Sequence, residues 1–132
     1  MPRKSMREEF ETDDGRVVRY VRHPHGGGFV SPKAKVAPDA WIAKSAYVEE
    51  NAVVAPGARV GENSWIESGA IVEPEAIVGI AVHLGAGARI GARARVGRGA
   101  RIGSEAILPA GVKLPADTIV AAGTKVSGRI AA

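Results

Sequence analysis

The chain has 132 residues, 18 Lys and Arg against 14 Asp and Glu, a net charge of +4 and no cysteine. That length reads as one domain, and the missing thiols exclude disulfides, thiol catalysis and cysteine-ligated metal while fitting a reducing cytoplasm. There is no apolar run of about 18 residues for a membrane helix and no apolar stretch behind the basic N-terminus as in a secretory signal, while Lys and Arg interleave with Glu and Asp, which argues against nucleic acid.

In chain order, Met6 to Thr12 and Arg16 to Arg22 are strand-like runs flanking Asp13-Asp14-Gly15, a strong turn signal. They predict a β-hairpin with Phe10, Val18 and Tyr20 on one apolar face, serving as a lid or strap for a repeat domain. Residues 1–27 are this hairpin and its lead-in loop, and 28–132 are the repeat domain. From there every sixth residue is Val, Ile or Leu, seventeen times without an insertion: Val30, Val36, Ile42, Val48, Val54, Val60, Ile66, Val72, Val78, Leu84, Ile90, Val96, Ile102, Leu108, Leu114, Val120 and Val126. Two places before each stands a small residue, eleven times Ala, and only Val82 and Val112 are larger. Gly often follows the aliphatic, as at Gly61, Gly79, Gly85, Gly91, Gly97 and Gly103, and Pro stands one or two places beyond it.

Helices want apolar spacings of three and four, and sheet strands want two. A period of six suits a chain that runs straight briefly, turns a corner and repeats. Three sides close a triangular coil of eighteen residues, so seventeen hexads make five to six coils. The aliphatic points to the axis, the small residue fits the corner, and Gly and Pro at the corners supply the turning angles. At strand spacing the prism stands about 27 Å tall. Val126 to Ala132 complete at most one last side, and no capping helix is read there.

The pattern is an aliphatic residue, then Gly, Ala, Glu or Asp, with a small residue four places after the aliphatic. Over about residues 28–128 it resembles that of the hexapeptide-repeat superfamily. The lead-in His23-Pro24-His25-Gly26-Gly27-Gly28-Phe29-Val30 is similar to that of short phage and bacterial members. The resemblance implies an all-β, left-handed parallel β-helix, a homotrimer, and ligand clefts between subunits. The superfamily includes acyltransferases, sugar-nucleotide enzymes and γ-class carbonic anhydrases.

The residue before each aliphatic should face outward. Sorted by side, these residues form three stripes: Phe29, Tyr47, Trp65, His83, Arg101, Ile119; Lys35, Val53, Ile71, Arg89, Ile107, Lys125; and Trp41, Arg59, Ile77, Arg95, Lys113. Vertical registers of aromatic and β-branched residues fit a subunit seam, and also a groove where Tyr47 and Trp65 stack a ring and Arg101 holds an anion. Arg89, Arg93, Arg95, Arg98 and Arg101 form a girdle around the prism, within reach of Glu67, Glu73 and Glu75 a coil below. Acyltransferases of the superfamily use one histidine as general base on the acceptor, and His83 alone lies inside the repeats. Those enzymes carry loops between coils, whereas no loop interrupts these. In the γ-class anhydrases, zinc-binding histidines occupy positions that are Ala86 and Gly91 here.

The sequence therefore favours a non-enzymatic scaffold or binding module for an anionic or aromatic small molecule, with Tyr47, Trp65, His83, Arg89 and Arg101 as ligand-binding residues and no cofactor or metal. The alternative is a minimal acyltransferase with His83 as base and a coenzyme A derivative as donor. An anhydrase-like metal protein comes third.

Overall fold

The computed structural model describes residues 7–11 and 17–127, and it is all-β, a left-handed parallel β-helix of about five turns. A hairpin of β1 (Arg7–Glu11) and β2 (Val17–Arg22) pairs antiparallel, with Phe10 opposite Val18. The Asp13-Asp14-Gly15 turn lies outside the described residues.

The first wall stacks β3 (Phe29–Val30), β6 (Tyr47–Val48), β9 (Trp65–Ile66), β12 (His83–Leu84), β15 (Arg101–Ile102) and β18 (Ile119–Val120). The second stacks β4 (Lys35–Val36), β7 (Val53–Val54), β10 (Ile71–Val72), β13 (Arg89–Ile90) and β16 (Ile107–Leu108). The third stacks β5 (Trp41–Ile42), β8 (Arg59–Val60), β11 (Ile77–Val78), β14 (Arg95–Val96) and β17 (Lys113–Leu114). Register is eighteen residues throughout, as in Tyr47↔Trp65 and Arg89↔Ile107, so the three outward stripes read from the sequence are the three walls.

Fifteen of the seventeen aliphatic rungs are buried, and Val36 and Val126, near the two ends, pack only partly against the core. Ala46, Ala52, Ala58 and their equivalents up to Ala106 are wholly buried at the corners, where a larger side chain has no room.

The corners correct one expectation. From Val48 onward, the residue that turns the chain is the third after each aliphatic, not the glycine immediately after it. Positive φ recurs every six residues from Asn51 (65°) through Gly57 (76°) and Glu75 (62°) to Gly123 (75°). With a positive φ at the third turn position and an i→i+3 bond such as Ala58 N–H to the Ala55 carbonyl at 3.2 Å, these are type II turns. Seven of the thirteen positions carry a side chain, including Ala81 and Arg93, and tolerate the left-handed conformation because the coils above and below fix it. The glycine next to the aliphatic serves close approach instead: a Cβ on Gly61 would lie 2.6 Å from the Gly79 carbonyl oxygen.

Val82 makes one corner different. Its corner lacks the usual turn bond, and the Ser64 hydroxyl enters from the coil below, donating to the Gly79 carbonyl at 2.7 Å and accepting from Val82 N–H at 3.0 Å. A buried hydroxyl thus satisfies both backbone groups of a corner that lacks its own turn bond.

The hairpin is not a lid under the whole prism. β2 pairs antiparallel with β3 of its own chain and extends the first wall downward. The loop after it finishes the third wall: His25 carbonyl accepts from Ile42 N–H at 3.1 Å, and Gly28 N–H donates to the Ile42 carbonyl at 2.9 Å. Gly26 is needed there, with φ of 108° and a Cβ that would stand 2.8 Å from the Ile42 carbonyl carbon.

Candidate functional site

The first wall divides into a closed lower half and an open upper half. Below, Phe29 and Tyr47 stack with centroids 4.6 Å apart. Tyr20 from the hairpin meets Tyr47 edge-on at 5.3 Å, and the Arg22 guanidinium covers Phe29 at 3.8 Å. Two of the three aromatics expected at a subunit seam, Phe29 and Tyr47, are therefore packed inside the chain. Burial pushes the Tyr20 hydroxyl pKa up, and its bond to the Glu49 carboxylate adds to this.

Above, the stripe turns outward and polar. Trp65 is 46% exposed, and its indole stacks on the His83 imidazole at 4.9 Å and 23°. His83 Nε2 meets the Glu67 carboxylate. A carboxylate only accepts, so in a neutral imidazole this contact requires the proton on Nε2, with Nδ1 as the acceptor nitrogen. Beside the pair opens a shallow groove of about 350 Å³, lined by Glu67, His83, Ala86, Arg101, Ser104 and Ile119 among others. Gly85 and Gly103 are among its other lining residues.

The carboxylates follow a rule. Glu49 accepts from Trp65 Nε1–H at 2.8 Å, Glu67 meets His83, and Glu73 pairs with Arg89 at 2.6 Å. Each joins the residue before one rung to the residue after the rung one coil lower, sixteen positions earlier. At Arg101 the corresponding place is Gly85, and among the described residues no carboxylate forms an ion pair with Arg101.

No known family profile matches the chain, and no curated protein matches it. Solved structures do. PerB from Caulobacter crescentus, in complex with CoA and GDP-perosamine, is 31% identical with a TM-score of 0.70, over 71% of this chain and 45% of that one. A histidine-to-asparagine mutant of perosamine N-acetyltransferase from the same organism, with the same two ligands, gives 29% and 0.69 over the same shares. The eighteen-residue register and these neighbours decide the family. The chain is a hexapeptide-repeat β-helix protein. It spans less than half the length of these neighbours.

Within this hexapeptide-repeat protein, Trp65, His83 and Arg101 stand in successive coils of one wall. Tyr47 is on the same wall but packed among Tyr20 and Phe29, two coils below His83. Arg89 lies on the second wall, tied to Glu73, so these five do not form one site. Glu67, Glu49, Ser104 and Tyr20 belong near it and were not among the site residues read from the sequence. The sixteen-residue spacing between a glutamate and an outward Trp, His or Arg is the signal in the sequence by which the two glutamates can be found. The histidines stay apart. His23 Nε2 binds the Ala40 carbonyl at 2.9 Å and His25 Nδ1 the Asp39 carbonyl at 3.1 Å, and among the described residues no His, Asp and Glu group gathers as a metal site.

Proposed function

We propose that this chain is the coil unit of an acyltransferase, carrying an acyl group from a coenzyme A thioester to an amine or hydroxyl of a small acceptor. The observation that carries the reading is the Glu67–His83 pair beside the open groove. The likeness to an acetyltransferase solved with CoA supports it. Uninterrupted coils favoured a non-enzymatic scaffold when the sequence stood alone. The groove weakens that argument, because it opens on the first wall of coils that no loop interrupts.

In this reading Glu67 fixes the imidazole, and His83 Nδ1 takes the proton of the attacking amine or hydroxyl as its nitrogen or oxygen bonds to the thioester carbonyl carbon. The carbon–sulfur bond then breaks, and the departing sulfur takes the proton back from His83. Such general-base help is worth about 10²–10⁴-fold. Arg101 and Ser104 would hold a negatively charged part of either substrate. The groove is at the small end for ligand sites, so it fits the reacting ends and not a whole coenzyme A. A homotrimer whose seams complete the groove supplies the rest, and the exposed Trp65, Ile107 and Ile119 are the apolar surface such a seam would cover.

The test is thiol release from acetyl-CoA with a panel of nucleotide-linked amino sugars, beside native mass spectrometry for subunit number. The expected result is turnover by the unaltered protein and a loss of about 10²–10⁴-fold in His83→Ala. Equal turnover in that variant, or none with any acceptor, overturns the reading. Binding of coenzyme A without turnover returns the chain to the class of ligand-binding scaffolds.

A further inference from the structure

His83 sits on a two-residue surface strand with its side chain about one third exposed (35%). A side chain in that position has several open rotamers, and a general base works only when held to near its reacting geometry. Glu67 fixes one edge of the ring but not its plane. The plane is set by the Trp65 indole beneath it, 23° from parallel. Trp65 is itself 46% exposed and would turn freely without its second contact, the Nε1–H bond to Glu49 Oε2 at 2.8 Å. The other Glu49 oxygen accepts from the Tyr20 hydroxyl at 2.8 Å. Tyr20 is only 7% exposed and is packed edge-on against both Phe29 and Tyr47. An unbroken series of contacts thus runs from a buried residue of the N-terminal hairpin to the base.

We propose that Trp65 is the positioning residue for His83, and that Glu49, gripped by Tyr20 of the hairpin, holds Trp65 in place. This rests on His83 being the base. The charged groups facing His83 are Glu67 from the end of β9 and Arg101 from β15 above. Glu49 is separated from the imidazole by the indole, so its effect is one of orientation and not of charge. Glutamine has the same shape, and its amide can accept from Trp65 while donating to the Tyr20 oxygen. Glu49→Gln should therefore keep the column, and Glu49→Ala should lose it.

Two readouts separate the outcomes. Stacking under an indole face moves the His83 ring-proton NMR signals upfield, and their pH titration gives the midpoint of that histidine without any need for turnover. The expected result is that Glu49→Ala and Trp65→Ala lose the upfield position and shift the midpoint, and that kcat falls about tenfold with acceptor KM nearly unchanged. Glu49→Gln restores all three, and Tyr20→Phe falls between. An unchanged His83 position and midpoint in a folded Glu49→Ala protein overturns the proposal, as does Glu49→Gln behaving like Glu49→Ala. If the unaltered protein transfers no acyl group, the function reading fails, while the NMR arm still decides whether the column holds the histidine.

Discussion

At the N-terminal end of the prism, backbone groups meet added partners: β2 pairs with β3, and His25 and Gly28 bind Ile42. At the other end the chain takes donors away. In thirteen successive hexads the residue after the rung donates upward, from Ser31 N–H to the Val48 carbonyl through Gly103 N–H to the Val120 carbonyl. The next two residues in that series are Pro109 and Pro115, which have no N–H to offer. Proline interrupts that series of upward donors at two successive places on the uppermost described coils. A coil edge can thus be completed by pairing or disarmed at single places by deletion, and the described residues show one of these near each of their two ends.

The middle of the stack gives the scale for both ends. Leu84→Ala, at a rung with no exposure, should cost about 3–4 kcal/mol in denaturant unfolding, against about 1 kcal/mol for Val36→Ala at the half-covered bottom rung. Equal losses would mean that stability is not distributed coil by coil. Ser64→Ala should cost about 2 kcal/mol by leaving the Gly79 carbonyl and Val82 N–H unsatisfied. Adding Val82→Ala should recover much of that, because alanine lets the ordinary turn bond close. Strict additivity in that cycle would contradict the bridging role of the hydroxyl.

The paired end has a titrating group in it. Burial holds the His23 imidazole pKa below its ordinary value; the neighbouring His25 charge lowers it further, and bonds to the Ala40 and Pro38 carbonyls act in opposition. The folded state therefore prefers neutral His23, so its contribution to stability is complete above about pH 6.5 and declines as pH falls below it. Hydrogen exchange at mildly acidic pH should show protection falling at Gly28 and Ile42 before Leu84, and His23→Gln should remove the difference. A uniform loss along the prism would tell against that assignment. The smallest change in stability is expected at the disarmed end, where Pro109→Ala with Pro115→Ala should alter it by no more than about 0.5 kcal/mol. The same pair should introduce concentration-dependent end-to-end association by sedimentation velocity, and a strictly monodisperse variant would remove the protective role of the prolines.

The walls were legible in the sequence because a buried axis accepts only aliphatic side chains, so the period of six survives in residue type. The corners were less legible. The turning position demands a backbone angle and not a side chain, and Asn51, Glu75, Ala81 and Arg93 all meet it. For the site, sorting the residues before each rung found Trp65, His83 and Arg101 on one wall. It passed over the residues after the rung, where Glu49 and Glu67 stand one coil lower, because a diagonal contact is invisible to a vertical sort. Tyr47 was read as ligand-facing since nothing in the repeat itself announced that Tyr20 would cover it.

The thirteen left-handed corners make the polypeptide behave like a graduated ruler. Gaining or losing a single residue between two of them would rotate every later side chain by one place and turn the axis inside out. A duplication of one whole storey would leave each wall's sequence of faces intact. Growth of such a molecule is thus quantised, and changes of height come in whole turns.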